Sequence, residues 1–448
     1  MLVAAGCDCA GYESRLSPDG GADGDSDSDS DADTDSWDEP PPPSCLEATG
    51  VIDLSEPGDI VYGIRAAADQ EGRLWAAWWA GASVYTGNLI ARRCEPGEGW
   101  LRPDLLGPGH VGDLATGADG TAFLLSTEDK TMDKSARRWT IGGGWEEPEL
   151  LEAQTGVMGG EHLAVAGNGT VMSLREGRRR EPEWGEHARW NVFADGVWSD
   201  AEDADPSDLY RSRQPAVAGG PDGMFLGVWT RCCDVPDPLY WSVFDGAWSA
   251  PTPMSVEHAG RTSRGSVGLD ATGSGFATWG NHVYYDYAGS AIWAARFEAG
   301  GFGPPERLFD VDAEVDTATV TAVDASGTAF VISETDTGLA ARRFDGTSWE
   351  AGNRISGPVV LVSEWELDLS TDGRGGAVAA WIDDAHVWAC RYRPGEGWDD
   401  AFVVDESDGL VTPTVRVAVA PDGTALIVWT DGAFPTPAAA VWAAVIPQ

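Results

Sequence analysis

The residues best suited to chemistry form an arginine- and tyrosine-rich stretch within a very acidic chain. Arg178, Arg179, Arg180, Glu181 and Trp184 lie in one segment, and Tyr210, Arg211 and Arg213 in the next. Arg231, His258, Arg261 and Arg264 follow, then His282, Tyr284, Tyr285, Asp286 and Tyr287. Guanidinium forks match carboxylates bidentately and aromatic faces stack on sugar rings, so Arg178, Arg180, Tyr210, Arg211, Arg213, Arg261, Arg264, His282, Tyr284, Tyr285 and Asp286 are candidate ligand-binding residues. The same arginines could simply neutralise neighbouring carboxylates. No nucleophile elbow, His–carboxylate pair or phosphate loop appears, so no catalytic residue is assigned.

These residues must be positioned by a repeat. Gly72, Gly120, Gly169, Gly223, Gly273, Gly327, Gly375 and Gly423 each lead a strand-like apolar run, at successive spacings of 48, 49, 54, 50, 54, 48 and 48 residues. Six positions after each comes Trp78, Ser126, Arg175, Trp229, Trp279, Ser333, Trp381 or Trp429. An out-of-phase series, Trp100, Trp145, Trp198, Trp248, Phe302, Trp349 and Trp398, accompanies it. Such a period with locked aromatic positions marks an array of equivalent supersecondary units.

One repeat shows the unit. Trp365–Ser370, Ala377–Trp381, His386–Tyr392 and Trp398–Val404 read as strands A to D, separated by Asp372-Gly373-Arg374-Gly375, Asp383-Asp384 and Pro394-Gly395-Glu396-Gly397. Four short strands with Gly-rich punctuation form an antiparallel meander, and units of this size are propeller blades. The eighth repeat ends after its third strand, and Glu47–Leu54 can supply the fourth. The sequence therefore predicts an all-β, eight-bladed β-propeller of four-stranded antiparallel blades over residues 45–448, its last blade closed by the N-terminal strand. The B–C connections vary most in length, so the face bearing the B–C and D–A loops is the expected functional face. The positions seven before each ladder glycine, Arg65, Asp113, His162, Ala216, Ser266, Val320, Asp368 and Arg416, are expected to line the central channel and to pair with one another.

Residues 1–44 differ in kind. Gly24–Asp38 alternates Asp with small residues and is followed by four prolines. Like-charge repulsion and lack of apolar surface make this a disordered, extended tether. Within residues 1–45, twelve carboxylates face Arg15 alone, a net −11 that leaves −33 of the total −44 to the repeats. That charge argues against nucleic-acid binding. The tract offers at most weak Ca²⁺ binding, since it lacks the turn glycine and distal Glu of a Ca²⁺ loop. No cofactor is expected, and no metal site either, because no C-x-x-C or His–Cys spacing occurs. Seven cysteines are present, with pairings that spacing alone leaves open.

Met1-Leu-Val-Ala-Ala-Gly-Cys7 resembles the end of a bacterial lipoprotein signal. That resemblance implies lipidation at Cys7 and an exported protein on the outer membrane or cell surface, held to the membrane only by its lipid. The repeats are distantly similar to the sialidase-type propeller superfamily, whose blades carry a Ser-x-Asp-x-Gly-x-x-Trp turn. Asp422-Gly423 leads into Trp429 and Asp69-Gln70-Glu71-Gly72 into Trp75, but without that spacing. The resemblance would imply an arginine triad, a Tyr–Glu nucleophile pair and an acidic Asp, yet no spacing identifies these roles. The expected function is a non-enzymatic, surface-tethered, monomeric propeller that recognises a protein or glycan. The alternative is a sialidase-like glycoside hydrolase or lyase acting on an anionic glycan.

Overall fold

The structure, a computed structural model, describes residues 51–55, 60–83, 86–128, 130–153, 155, 160–179, 185–206, 211–232, 238–254, 261–282, 290–311, 319–357, 366–383, 386–405, 411–431 and 440–448. The ladder glycines explain the chain's periodicity. All eight have φ between 78° and 97°, the left-handed region that other residues rarely adopt. Each ends a tight turn between strands A and B. In four blades an aspartate three residues earlier clamps the turn. Asp69, Asp270, Asp324 and Asp372 each accept two backbone N–H groups at 2.7–3.0 Å. In three others the clamp directly precedes the glycine: Asp119, Asn168 and Asp422 each accept one.

From these turns grow eight antiparallel sheets. The innermost strands are Ile60–Ala68, His110–Thr116, Glu161–Val165, Arg211–Gly219, Ser266–Leu269, Thr319–Val323, Leu367–Thr371 and Val411–Val419. Each contacts the next around an unbroken ring, and the last contacts the first. Val51–Asp53 pairs with Ala440–Ile446 and completes the eighth blade from the opposite end of the chain. Eight four-stranded blades with N-terminal closure are thus present, as the repeat predicts.

The outer strand differs from the expected single run. In five blades it comes as two short pieces, for example Gly99–Trp100 with Asp104–Pro108, or Gly397–Trp398 with Phe402–Val403. The first piece is the foot of the C–D hairpin, whose aromatic residue turns inward to the blade interface. After this side-chain reversal the chain must rejoin the ladder. A short, interrupted outer strand also gives other chains little edge to pair with.

Blades bury their faces only against one another. The residue three after the ladder glycine meets two aromatics of the next blade, edge to face. Trp75 meets Trp139 and Trp145 at 4.9 and 5.9 Å, Phe123 meets Phe193 and Trp198 at 5.2 and 6.4 Å, and Phe276 meets Phe344 and Trp349 at 4.7 and 5.0 Å. Phe330 meets Tyr392 and Trp398 likewise, at 5.0 and 5.9 Å. Trp75, which stood outside the sequence-level tryptophan series, belongs to this position. The tryptophans at the strand B position are buried as well: Trp78, Trp229, Trp279, Trp381 and Trp429 are at most 1% exposed.

A buried aromatic of this size contributes through both transfer and packing, so Trp75→Ala is expected to cost about 3–5 kcal/mol. Urea unfolding followed by circular dichroism measures it. A loss below about 1 kcal/mol would mean the interface is not held there.

Candidate functional site

The A strands are irregular where they start, on the side of the D–A connections. Register shifts fall between Tyr62 and Ile64, Val111 and Leu114, Arg213 and Ala216, and Val411 and Val415. In the fifth blade the strand is interrupted between Thr262 and Ser266. Bulges at a rim re-aim side chains and are frequent beside functional sites. At one of them Gln214 takes φ 50°, and its backbone N–H donates to Glu176 Oε1 at 2.5 Å.

Below this rim, charged side chains converge on the axis. Arg65 Nε lies 3.4 Å from Asp113 Oδ1. Asp113 Oδ2 accepts the Leu163 N–H of the next blade at 2.7 Å, and Asp368 Oδ2 accepts that of Val417 at 2.8 Å. Both axial carboxylates therefore stitch their blade to its successor. Arg264 donates to His162 Nε2 at 2.5 Å. Arg65, Arg264 and Arg416 all lie within electrostatic range of one another. All six side chains are half-buried.

The electrostatics follow from burial and from the crowding of these charges. Burial raises the Asp113 carboxyl above the usual range, opposed by Arg65, and raises Asp368 likewise, opposed by Arg416. Burial and the neighbouring guanidinium of Arg65 lower Arg416 to about 10. Burial, then Arg264, Arg65 and Arg416, hold His162 well below the ordinary imidazole value. A neutral His162 accepting at Nε2 fits its arginine donor. Among the described residues, this cluster brings three guanidiniums together with two carboxylates.

The pairing expected along the channel is present between Arg65 and Asp113, and the channel cluster also takes in Arg264 from the arginine-rich stretch. Regular spacing does not mark Arg264, because the strand is interrupted between Thr262 and Ser266. Arg213 is half-buried beside the Gln214 bulge. Arg178, Arg211, Arg261 and His282 lie on strands, and Arg261 pairs opposite His282, but their side chains lie outside the described set. Arg180, Tyr210, Tyr284, Tyr285 and Asp286, like Cys7, lie outside the described residues. Arg231 serves structure instead. Its Nε and Nη2 donate to buried Asp205 at 2.6 and 2.8 Å, and Trp229 Nε1 donates to the same carboxylate at 3.1 Å. No group of three potential metal ligands occurs among the described residues.

A second charged cluster lies between blades two and three, away from the axis. Lys134 Nζ contacts Glu161 and donates to Thr127 Oγ1 at 2.7 Å, while Thr127 donates to Glu161 at 2.7 Å. Lys134 and Glu161 are 2% and 4% exposed, and burial lowers Lys134 to about 7. Gly112 makes the room, since a Cβ there would sit 1.6 Å from Glu161 Oε2. In blade three the tryptophan position is Arg175, which donates to Glu152 Oε2 of blade two at 2.9 Å.

No protein-family model matches the chain, and no curated protein does. Among solved structures the Dos1 propeller is similar, with 9% identity, a TM-score of 0.51, and coverage of 88% of this chain and 93% of that one. Polysaccharide lyase Uly1 has 8% identity, a TM-score of 0.49, and coverage of 88% and 90%. A leech intramolecular trans-sialidase has 8% identity, a TM-score of 0.39, and coverage of 90% and 92%. At these identities the likeness shows the propeller fold alone, and it selects no activity.

Two outcomes test these clusters. Removing one partner of a buried pair strands the other charge, so Glu161→Gln is expected to cost about 3–5 kcal/mol, and Lys134→Met with Glu161→Leu to recover most of it. Chemical denaturation of the two variants beside the parent checks this. For His162, the folded pKa lies below the unfolded one, so the unfolded chain binds more protons below about pH 6.5. Stability from this group is therefore complete above that pH and lost as pH falls toward the folded value. Denaturation midpoints between pH 5 and 7.5 should fall less on acidification in His162→Asn than in the parent.

Proposed function

We propose that this protein is a non-enzymatic binding propeller that recognises a carboxylate-bearing glycan or protein at its B–C and D–A loop face, with axial arginines holding the anion. The observation that carries this reading is the convergence of Arg65, Arg264 and Arg416 beneath the bulged rim, within electrostatic range of one another. Guanidiniums in a narrow, poorly hydrated space bind carboxylates more strongly than they do in open water. Hydrolysis would instead need two carboxyls about 5 to 10 Å apart across a cleft. Asp113 and Asp368 are committed to backbone N–H groups, and an imidazole held well below neutrality is a weak general base. Binding is therefore favoured over turnover.

The proposal includes the setting. Residues 1–44 act as an acidic tether from a lipidated Cys7, which places a monomeric propeller on the outer membrane or cell surface. The disulfide at Cys94 supports passage through an oxidising compartment.

A glycan array probed with residues 45–448 tests the reading. Acidic glycans should be retained and their neutral counterparts should not, and Arg264→Ala should weaken the affinity roughly ten- to a hundredfold. Retention of neutral glycans alone, or an unchanged affinity in Arg264→Ala, would overturn the axial site. Bond cleavage in the bound glycan would overturn the non-enzymatic assignment.

A further inference from the structure

Cys94 is disulfide-bonded, whereas Cys390 is a buried free thiol. Cys94 stands near the end of the third strand of blade one, Thr86–Glu95, where the chain enters the C–D turn. Its side chain is fully buried within the apolar cluster shared by blades one and eight, and it stands opposite Trp100 across the C–D hairpin. Two cysteines can be joined only when their Cα atoms come within about 7 Å.

The fold restricts the choice of partner. Cys232 ends the second strand of blade four, Phe225–Cys232, and Cys233 follows it. Blade four is three blades from blade one around the ring, and the end of a second strand lies on the opposite face from the end of a third. That leaves the cysteines before the closing strand. Val51–Asp53 runs antiparallel to Ala440–Ile446, so it begins on the C–D turn face, the face where Cys94 lies. Cys45 precedes Val51 by six residues, a span of at most about 20 Å for an extended chain. Cys9 and Cys7 are much farther back, beyond the Asp-rich tract and the proline run.

We propose that Cys45 and Cys94 form a disulfide that latches the closing strand of the propeller to blade one. The three-residue strand Val51–Asp53 is short to hold a ring closed, and a covalent link just before it prevents its departure. The bond forms by exchange with a disulfide donor: the two thiols lose their protons, one S–S bond forms between Cys45 and Cys94, and the donor's disulfide is reduced to a dithiol. The latch stands independently of the ligand proposed above.

Proteolysis of the full chain under non-reducing conditions, followed by mass spectrometry, tests the assignment. A cross-linked peptide pair containing Cys45 and Cys94 is expected, disappearing on reduction. A link from Cys94 to Cys7, Cys9, Cys232 or Cys233, or an alkylatable Cys94 without reduction, would overturn it. A second measurement reads the consequence. Cys45→Ser should lower the melting temperature by several degrees and speed amide exchange at Val51–Leu54. Dithiothreitol should bring the parent down to the variant and leave the variant unchanged. An equal response of both proteins to reductant would overturn the latch.

Discussion

Everything in this molecule depends on the fact that a twisted four-stranded blade has two faces to bury and only its neighbours to bury them. A row of blades would leave an apolar face at each end. Closing the row into a ring removes both ends, provided that the last blade meets the first in register. Val51–Asp53 achieves this by adding to Ala440–Ile446, so the apolar cluster between blades eight and one draws on both ends of the chain. Edge-to-face aromatic contacts repeat this logic at interfaces such as those of blades one with two, two with three, five with six and six with seven.

The repeat was legible because backbone geometry imposes it. A left-handed residue is required at each A–B turn, and glycine supplies it eight times at near-constant spacing. Strand count and ring closure followed from that period. The outer strands were less legible, because the aromatic at the foot of each C–D hairpin reads as a strand residue while its side chain turns into the interface. The interface position three after each glycine was also overlooked. It carries aromatic residues in only half the blades, with Met172, Leu226, Val378 and Leu426 in the others. Its function depends on what the next blade presents, and no local pattern encodes that.

The site was legible only in fragments. The channel positions were found from the repeat, and Arg264 from its composition-rich surroundings, but their meeting depends on strand irregularities that spacing does not predict. Arg231 shows the converse. It looked like a ligand-facing arginine in sequence, yet its guanidinium is consumed by Asp205, and its plane lies 3.8 Å from the Tyr240 ring centroid. Arginine density distinguishes neither role. The carboxylate opposite each arginine decides, and it often comes from a different blade.

The breaks in the tryptophan series extend the same argument. Where blade three has Arg175 instead of tryptophan, blade two provides Glu152, and Arg175 is fully buried against it. At the same interface Thr127 and Lys134 of blade two meet Glu161 of blade three, and Gly112 lacks the Cβ that would collide with Glu161. Both polar bridges join blades two and three, and the one at Arg175 stands where other blades have an indole. A buried ion pair is rarely more stable than well-packed apolar side chains. These pairs therefore contribute less to stability than to uniqueness: an unpaired charge in any other register would be costly, so they specify which blades adjoin. In a ring of eight near-equivalent units, such a marker discriminates against misordered or swapped arrangements that aromatic packing alone would tolerate.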